Sequence, residues 1–177
     1  MVENDKTYEA YEKIIKENCD NEIDFPIPNS TMTHAFIGIQ YLIKKAKNNI
    51  RIVSECFFED FWRDLHPFIA EFLNNRTGKL EVIVIKECNK EGVLKNLIAQ
   101  FPQQVTIFDF KNKTLENKAP NFLTIDQKGY RFELSDEKKK DRLVEGVINF
   151  GDTKGTTALN SFFDVLKSGL TPIAIPC

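Results

Sequence analysis

The chain has 177 residues, 24 of them basic and 26 acidic, which gives a net charge of −2. This length suits one domain with its own hydrophobic core, and the near-neutral charge argues against broad, non-specific binding of nucleic acid. The four cysteines lie far apart and form no C-x-x-C pair, so neither a zinc ion nor a disulfide framework is expected. Because no secretory signal or membrane-spanning run is present, we expect a cytoplasmic protein, and no pattern requires a cofactor.

An acidic helix is predicted at the amino terminus. Residues 3–24 carry eight acidic and three basic side chains, a net of −5. Apolar side chains recur at intervals of three and four residues, at Tyr8, Tyr11, Ile15 and Cys19. The prolines of the Pro26-Ile27-Pro28 segment favour an extended connection. We therefore divide the chain into an acidic helix with an extended connection, over residues 1–29, and one domain over residues 30–177.

Helices and strands alternate in the first half of that domain. Three polar residues are candidate N-caps for its first helix: Ser30, Thr31 and Thr33. Strands are predicted over residues 50–54, 80–85 and 105–110, with amphipathic helices between them. The aliphatic run over residues 80–85 is typical of a strand buried on both faces of a parallel sheet.

A hairpin, a further strand and a closing helix are predicted in the second half. Two apolar runs, over residues 122–125 and 130–134, flank the turn sequence Asp126-Gln127-Lys128-Gly129. We expect Ile125 to lie opposite Tyr130, which puts Arg131 and Glu133 on the other face from Ile125, as an ion pair or a partner-binding patch. A strand over residues 143–150 and a final helix then complete an α/β fold, a mixed sheet with helices on both faces.

The second half of the chain resembles a phospholipase D-like domain. The resemblance rests on the segments 121–126, 130–133 and 146–150 and on the helix from about Thr156 to Lys167. In that family an H-x-K-x-x-x-x-D motif is followed by a G-S-x-N strand and a helix, and the order of elements over residues 30–168 is similar. The resemblance implies a mixed sheet sandwiched between helices, and it raises the expectation of phosphodiesterase chemistry.

The catalytic positions of the family carry other residues in this chain. Counting back from Asp126, the motif histidine position is Ala119 and the lysine position is Asn121. In the family the histidine takes the phosphoryl group and the lysine contacts the phosphate; alanine cannot act as a nucleophile, and Asn121 offers only neutral hydrogen bonds. The positions that match the two motifs are Ala119, Asn121, Asp126, Gly146, Val147 and Asn149, with Val147 in place of the serine.

The retained motif residues also have structural interpretations. Asp126 opens a turn, where aspartate is common because it forms local hydrogen bonds, and we favour that role. Asn149 is either a phosphate-binding amide or a strand-end residue that forms a turn with Gly151 and Asp152. His34 is either a substitute for the missing histidine, at a helix start that binds an anion through backbone N–H groups, or an exposed residue beside a helix cap, which we favour. His66 is interpreted as a helix-surface residue.

Two charged clusters outside the motif are candidate sites. The basic cluster contains Lys138, Lys139, Lys140 and Arg142, and residues 128–142 have a net charge of +2. A solvated loop is favoured there over a nucleic-acid contact. The acidic cluster contains Glu55, Glu59, Asp60 and Asp64. Acidic residues are expected at a helix start because of the helix dipole, so no metal site is predicted.

Three functions follow from these observations. The first is a non-catalytic phospholipase D-like module that binds nucleic acid or a protein partner, as a homodimer, in a microbial defence or restriction-type system; that setting rests on analogy with the family. The second is a divergent phosphodiesterase or nuclease that uses relocated groups such as His34. The third is a purely structural or regulatory homodimer. The candidate binding residues are Asn121, Asn149, Arg131, Lys138, Lys139, Lys140 and Arg142.

Overall fold

Five helices and seven strands make up the part of the chain that the structure, a computed structural model, describes: residues 5–55, 59–75, 77–85, 92–110, 120–133 and 146–173. In chain order they are α1 (Asp5–Asp20), β1 (Ile27–Asn29), α2 (Met32–Lys45), β2 (Asn49–Ser54), α3 (Glu59–Asn74), β3 (Lys79–Val84), α4 (Val93–Gln100), β4 (Val105–Asp109), β5 (Asn121–Ile125), β6 (Gly129–Glu133), β7 (Gly146–Asn149) and α5 (Thr153–Lys167). None of these helices is long and apolar enough to cross a membrane.

All seven strands form one mixed sheet in the order β1-β7-β6-β5-β2-β3-β4. The strands β2, β3 and β4 are parallel to one another. The pairs that join β5, β6, β7 and β1 to this parallel part are antiparallel. The predicted α/β class with a mixed sheet is therefore confirmed.

Helices cover the two faces of the sheet unequally. One face packs against helices α1 to α4 through side chains such as Ile15, Leu42 and Leu65, and we call it the four-helix face. The other face packs against α5 through Phe163 and Leu166, and we call it the α5 face. Neighbouring residues of a strand point to opposite faces, so this division decides which polar side chains can meet.

The predicted extended connection takes part in the sheet as its edge strand, β1. Ile27 lies opposite Ile148 of β7, and Asn29 lies opposite Gly146. Pro28 has no N–H group to donate, which an edge strand tolerates, and its carbonyl accepts a hydrogen bond from the Tyr11 hydroxyl at 3.3 Å. The sheet thus draws on residues before position 30, and the division of the chain at that position stays a prediction.

The hairpin forms, but its predicted register is wrong by one residue. Ile125 lies opposite Gly129, not Tyr130, and Leu123 lies opposite Arg131. The loop has three residues because Gly129 belongs to β6; a Cβ there would lie 2.9 Å from Ile125 Cγ1 and 3.0 Å from Leu42 Cδ2. A slip of one residue reverses the faces, so Arg131 shares the four-helix face with Leu123.

Candidate functional site

A row of mostly polar residues crosses four strands at one end of the sheet. The row consists of Asn29 on β1, Gly146 on β7, Glu133 on β6 and Asn121 on β5, each opposite the next. Leu123 and Ile148, two residues away from members of the row, belong to the core of the four-helix face. Because side chains alternate along a strand, the row lies on that face as well.

Arg131 is buried behind this row. Only 7% of the residue is exposed. Its Nη2 donates to Glu133 Oε2 at 2.8 Å and to Asn29 Oδ1 at 3.3 Å. The predicted ion pair between Arg131 and Glu133 is confirmed, but it lies on the face covered by α1 and α2. The guanidinium is therefore part of the interior and does not form an exposed platform.

Gly146, the motif glycine, makes room for this contact. A Cβ at position 146 would lie 2.9 Å from Asn29 Oδ1, 3.0 Å from the Phe132 carbonyl oxygen and 3.3 Å from Arg131 Nη2. Any side chain at this position would push apart the groups that form the buried hydrogen bond. The glycine thus has a packing role that requires no catalysis.

Tyr11 of α1 covers His34 at the start of α2. The two rings stack with centroids 3.8 Å apart and planes at 15°. His34 is half-buried, so its interpretation as an exposed residue is wrong, while the Thr31 cap is confirmed because Thr31 Oγ1 accepts from the His34 N–H at 3.1 Å. Burial raises the pKa of Tyr11 to about 12, with the Arg131 charge acting in the opposite direction, so its hydroxyl stays a donor.

Asn121, at the lysine position of the motif, holds two strands together. Its Oδ1 accepts the backbone N–H of Glu55, just past the end of β2, at 2.6 Å. The side chain therefore already has a structural partner. Ala119, at the histidine position, lies outside the described residues.

Asp126, at the aspartate position of the motif, anchors the loop between α2 and β2. Its Oδ2 accepts from the Lys47 N–H at 2.8 Å, and its Oδ1 accepts from the N–H groups of Asn48 and Asn49 at 2.9 Å each. Asp126 opens the turn as expected, but the local hydrogen bonds predicted for its side chain are wrong. Its partners come from a distant part of the chain and not from its own turn.

Asn149 closes the turn that leads into α5. Its Oδ1 accepts from the N–H groups of Gly151 and Asp152 at 2.9 Å each, and its Nδ2 donates to Asp24 Oδ1 at 2.9 Å. The turn interpretation is confirmed. Binding of phosphate by this amide would require these contacts to break.

The motif positions on β5 and β7 do not converge. Ile148 packs against Gly38 of α2 on the four-helix face, so its neighbours Val147 and Asn149 point to the α5 face. Asn121 points to the four-helix face. Two strand spacings and three residues along β7 also separate Asn121 from Asn149, a distance of roughly 14 Å. The two amides therefore cannot bind the same phosphate group.

Comparison with known proteins identifies the architecture. No protein-family model and no curated protein matches the sequence. Nuc from Salmonella typhimurium, a phospholipase D family member, superimposes with a TM-score of 0.64 and 9% identity, over 85% of this chain and 100% of that one. NucT from Helicobacter pylori superimposes with a TM-score of 0.61 and 15% identity over the same shares. The chain has a phospholipase D-like fold.

A third similar structure is that of TrmBL2, an archaeal chromatin protein described as showing a novel mode of DNA binding. The TM-score is 0.65 and the sequence identity is 13%. The match covers 96% of this chain and 63% of TrmBL2. This chain therefore spans less than two thirds of the length of that neighbour.

The remaining predicted site residues take no part in the polar row. The basic residues Lys138, Lys139, Lys140 and Arg142 fall outside the described residues. His66 is half-buried on α3, and Asp60 pairs with Arg63 at 3.1 Å. Within the described ranges, no three His, Cys, Asp or Glu side chains lie together so that they could hold a metal ion.

Sequence reasoning did not identify the contact between Arg131, Asn29 and Gly146. Its members come from β6, β1 and β7, and β1 was expected to be only a connection. No spacing rule links such residues, because the strand register alone brings them together. The one available signal was Gly146, a glycine inside a predicted strand, which often marks a close approach of other groups.

Proposed function

We propose that this protein is a non-catalytic phospholipase D-like module that binds nucleic acid. The observation that carries the proposal is the separation of Asn121 from Asn149, on opposite faces of the sheet and each engaged within its own chain. Phosphoryl transfer needs a nucleophile and phosphate-binding groups placed around one phosphorus atom. The chain offers an alanine at the nucleophile position and no convergence of the other groups.

The position of His34 argues against the divergent phosphodiesterase. Its imidazole is stacked under Tyr11 on the four-helix face, whereas Asn149 points to the α5 face. A reaction that used His34 as nucleophile and Asn149 as phosphate ligand would need both groups at the same phosphate. Their separation supports a binding function.

Two considerations support nucleic acid as the ligand. TrmBL2, which shares the fold, is described as a DNA-binding chromatin protein. In a chain of net charge −2, affinity for phosphates must come from a local basic segment, and Lys138, Lys139, Lys140 and Arg142 form the densest one. By analogy with the fold, we propose a microbial defence or restriction-type system as the setting.

Binding titrations test this proposal. Single- and double-stranded DNA and RNA oligonucleotides are titrated at about 50 and 200 mM salt. We expect binding that weakens as the salt concentration rises. The slope of log K against log salt concentration should be about 3–4 units smaller in magnitude when the four residues of the basic segment are changed to glutamine, since each phosphate contact contributes about 0.9. A matched control changes four exposed lysines of the described surface to glutamine: Lys13, Lys47, Lys79 and Lys154. An equal decrease of the salt slope in both variants, or no salt-sensitive binding at all, contradicts the proposal.

A homodimer is the second candidate. Ala158, Phe162 and Val165 form an exposed stripe on α5, with Phe162 and Val165 exposed by 37% and 69%. The edge strand β1 is poorly suited to pairing with a partner strand, because Pro28 lacks an N–H donor. We therefore expect a dimer through α5, which Val165→Lys disrupts in sedimentation velocity while Thr157→Lys does not. A monomer at all concentrations contradicts this candidate.

A further inference from the structure

The start of α2 and the buried guanidinium of Arg131 lie together on the four-helix face. Asn29 ends β1, and α2 begins after the Thr31 cap. Arg131 Nη2 contacts Asn29 Oδ1. The N–H groups of a first helical turn carry partial positive charge, and the guanidinium adds a full charge. Both groups therefore favour an anion where β1 leads into α2.

Two N–H donors at this place have no acceptor among the described residues. Arg131 Nε and Asn29 Nδ2 are both buried without a hydrogen-bond partner, and their residues are only 7% and 1% exposed. Native proteins leave few buried donors unpaired, and each such group calls for an explanation. Rotation of the Asn29 amide does not remove the problem, because its Oδ1 already accepts from Arg131.

We propose that Arg131 Nε and Asn29 Nδ2, at the start of α2, form a binding site for one small oxyanion such as phosphate or sulfate. An oxyanion carries several acceptor oxygens for these two donors, and both the guanidinium and the helix start favour negative charge. None of the side chains that bind the oxyanion stands at a motif position. The site does not depend on the proposed function, because its ligand is either a free ion or a phosphate of a nucleic-acid backbone.

Glu133 is the internal competitor of this oxyanion. Its carboxylate lies 2.8 Å from Arg131 Nη2 and offsets the guanidinium charge. The Glu133 side chain is 23% exposed and that of Arg131 is 9% exposed, so the carboxylate is the partner that can turn toward solvent. The carboxylate therefore repels an anion held at Arg131 Nε, and removal of the Glu133 charge should strengthen binding.

Calorimetric titration with inorganic phosphate and sulfate tests the site. We expect Glu133→Gln, which removes the charge and keeps the size, to bind phosphate about tenfold more tightly than the wild type, because a negative charge a few ångströms from the anion is lost. Glu71→Gln, an equal charge change on the exposed side of α3, should change the affinity less than twofold. Equal affinities of the two variants, or no binding by Glu133→Gln, overturn the proposal.

A second experiment removes one of the two hydrogen-bond donors. In the Glu133→Gln background, Arg131→Gln should abolish phosphate binding. If that variant does not fold, as judged by circular dichroism, Asn29→Ala carries the test, since it keeps the guanidinium and removes one donor; we expect a loss of about tenfold. Unchanged binding by a folded donor variant overturns the site.

A competition experiment identifies the source of the oxyanion. If phosphate displaces a DNA oligonucleotide from the wild type, and Arg131→Gln weakens DNA binding, the site takes a backbone phosphate. If Arg131→Gln loses phosphate but binds DNA as before, the site takes a free ion and the proposed nucleic-acid function is untouched. Loss of DNA binding with phosphate binding intact contradicts the assignment of Arg131 to the oxyanion.

Discussion

Replacement of Asp126 measures how much of the remaining motif serves stability. The carboxylate accepts three backbone hydrogen bonds, from Lys47, Asn48 and Asn49, at 2.8–2.9 Å. A hydrogen bond to a charged group contributes about 1.5–3 kcal/mol, but these donors are exposed, so water replaces the lost acceptor and about 1 kcal/mol per bond remains. We therefore expect the loss of these three bonds in Asp126→Ala to lower the free energy of unfolding by about 3 kcal/mol.

The backbone at this position adds a second contribution. Asp126 has a φ of 44°, in the left-handed region that alanine disfavours by about 1 kcal/mol. Asparagine tolerates this conformation and keeps one acceptor oxygen, so Asp126→Asn should lose only about 1–2 kcal/mol.

Urea denaturation followed by circular dichroism measures these differences. Asp60→Ala serves as the control, since the Asp60 side chain is 93% exposed and pairs with Arg63 on the surface of α3; we expect a change in unfolding free energy within about 0.5 kcal/mol. If Asp126→Ala is as stable as this control, the carboxylate does not anchor the loop. A loss by Asp126→Asn as large as that by Asp126→Ala would refute the separation of the two contributions.

Three further predictions concern the buried row and its cover. Gly146→Ala should lose about 1–3 kcal/mol of unfolding free energy, since its Cβ would meet Asn29 Oδ1 and the Phe132 carbonyl at 2.9–3.0 Å; an unchanged urea midpoint contradicts this. Asn121→Lys should lose about 1 kcal/mol, because the Glu55 N–H loses its acceptor, and should show no phosphodiesterase activity; gain of activity contradicts the account. Because the pKa of Tyr11 rises from 10 to about 12 on folding, the unfolded chain ionises first, and stability is lost as pH rises from about 10 to 12. Between pH 10 and 12, Tyr11→Phe should therefore lose about 1 kcal/mol less unfolding free energy than the wild type, as measured by thermal melts. The same dependence of stability on pH in both proteins contradicts this prediction.

The sequence predicted elements whose signal is local. The strands β2, β3 and β4 form at their predicted aliphatic runs because side-chain periodicity within a few residues decides them. The Thr31 cap is likewise local, since its hydroxyl accepts an N–H three residues away. The turn role of Asn149 was also within reach, because Gly151 and Asp152 follow it directly.

Features that depend on strand register were not predictable in the same way. The edge strand β1 pairs with β7, at the other end of the chain. The hairpin register was wrong because Gly129 looked like a turn residue, whereas tight packing against Leu42 and Ile125 requires a glycine within the strand. Because of this error of one residue, Arg131 was predicted on the surface although it lies in the interior. The proposed oxyanion site was therefore not predicted.

We propose that the fold has been kept while the chemistry of the motif has been replaced. Asn121, Asp126 and Asn149 each hold a backbone N–H group at a join between elements. Gly146 gives room to a buried contact. Each motif residue within the described part of the chain thus has a structural reason to be where it is, apart from Val147, for which nothing in the structure explains the change from serine.

The most direct test of the central claim is a single-turnover experiment on a bound oligonucleotide. Protein in excess is mixed with end-labelled single- and double-stranded DNA, and bound and cleaved fractions are measured over several hours in the same samples. We expect salt-dependent binding with the DNA fully intact, in the wild type and in His34→Ala alike. Cleavage by the wild type that His34→Ala abolishes would show that the protein is a catalyst and would contradict the account.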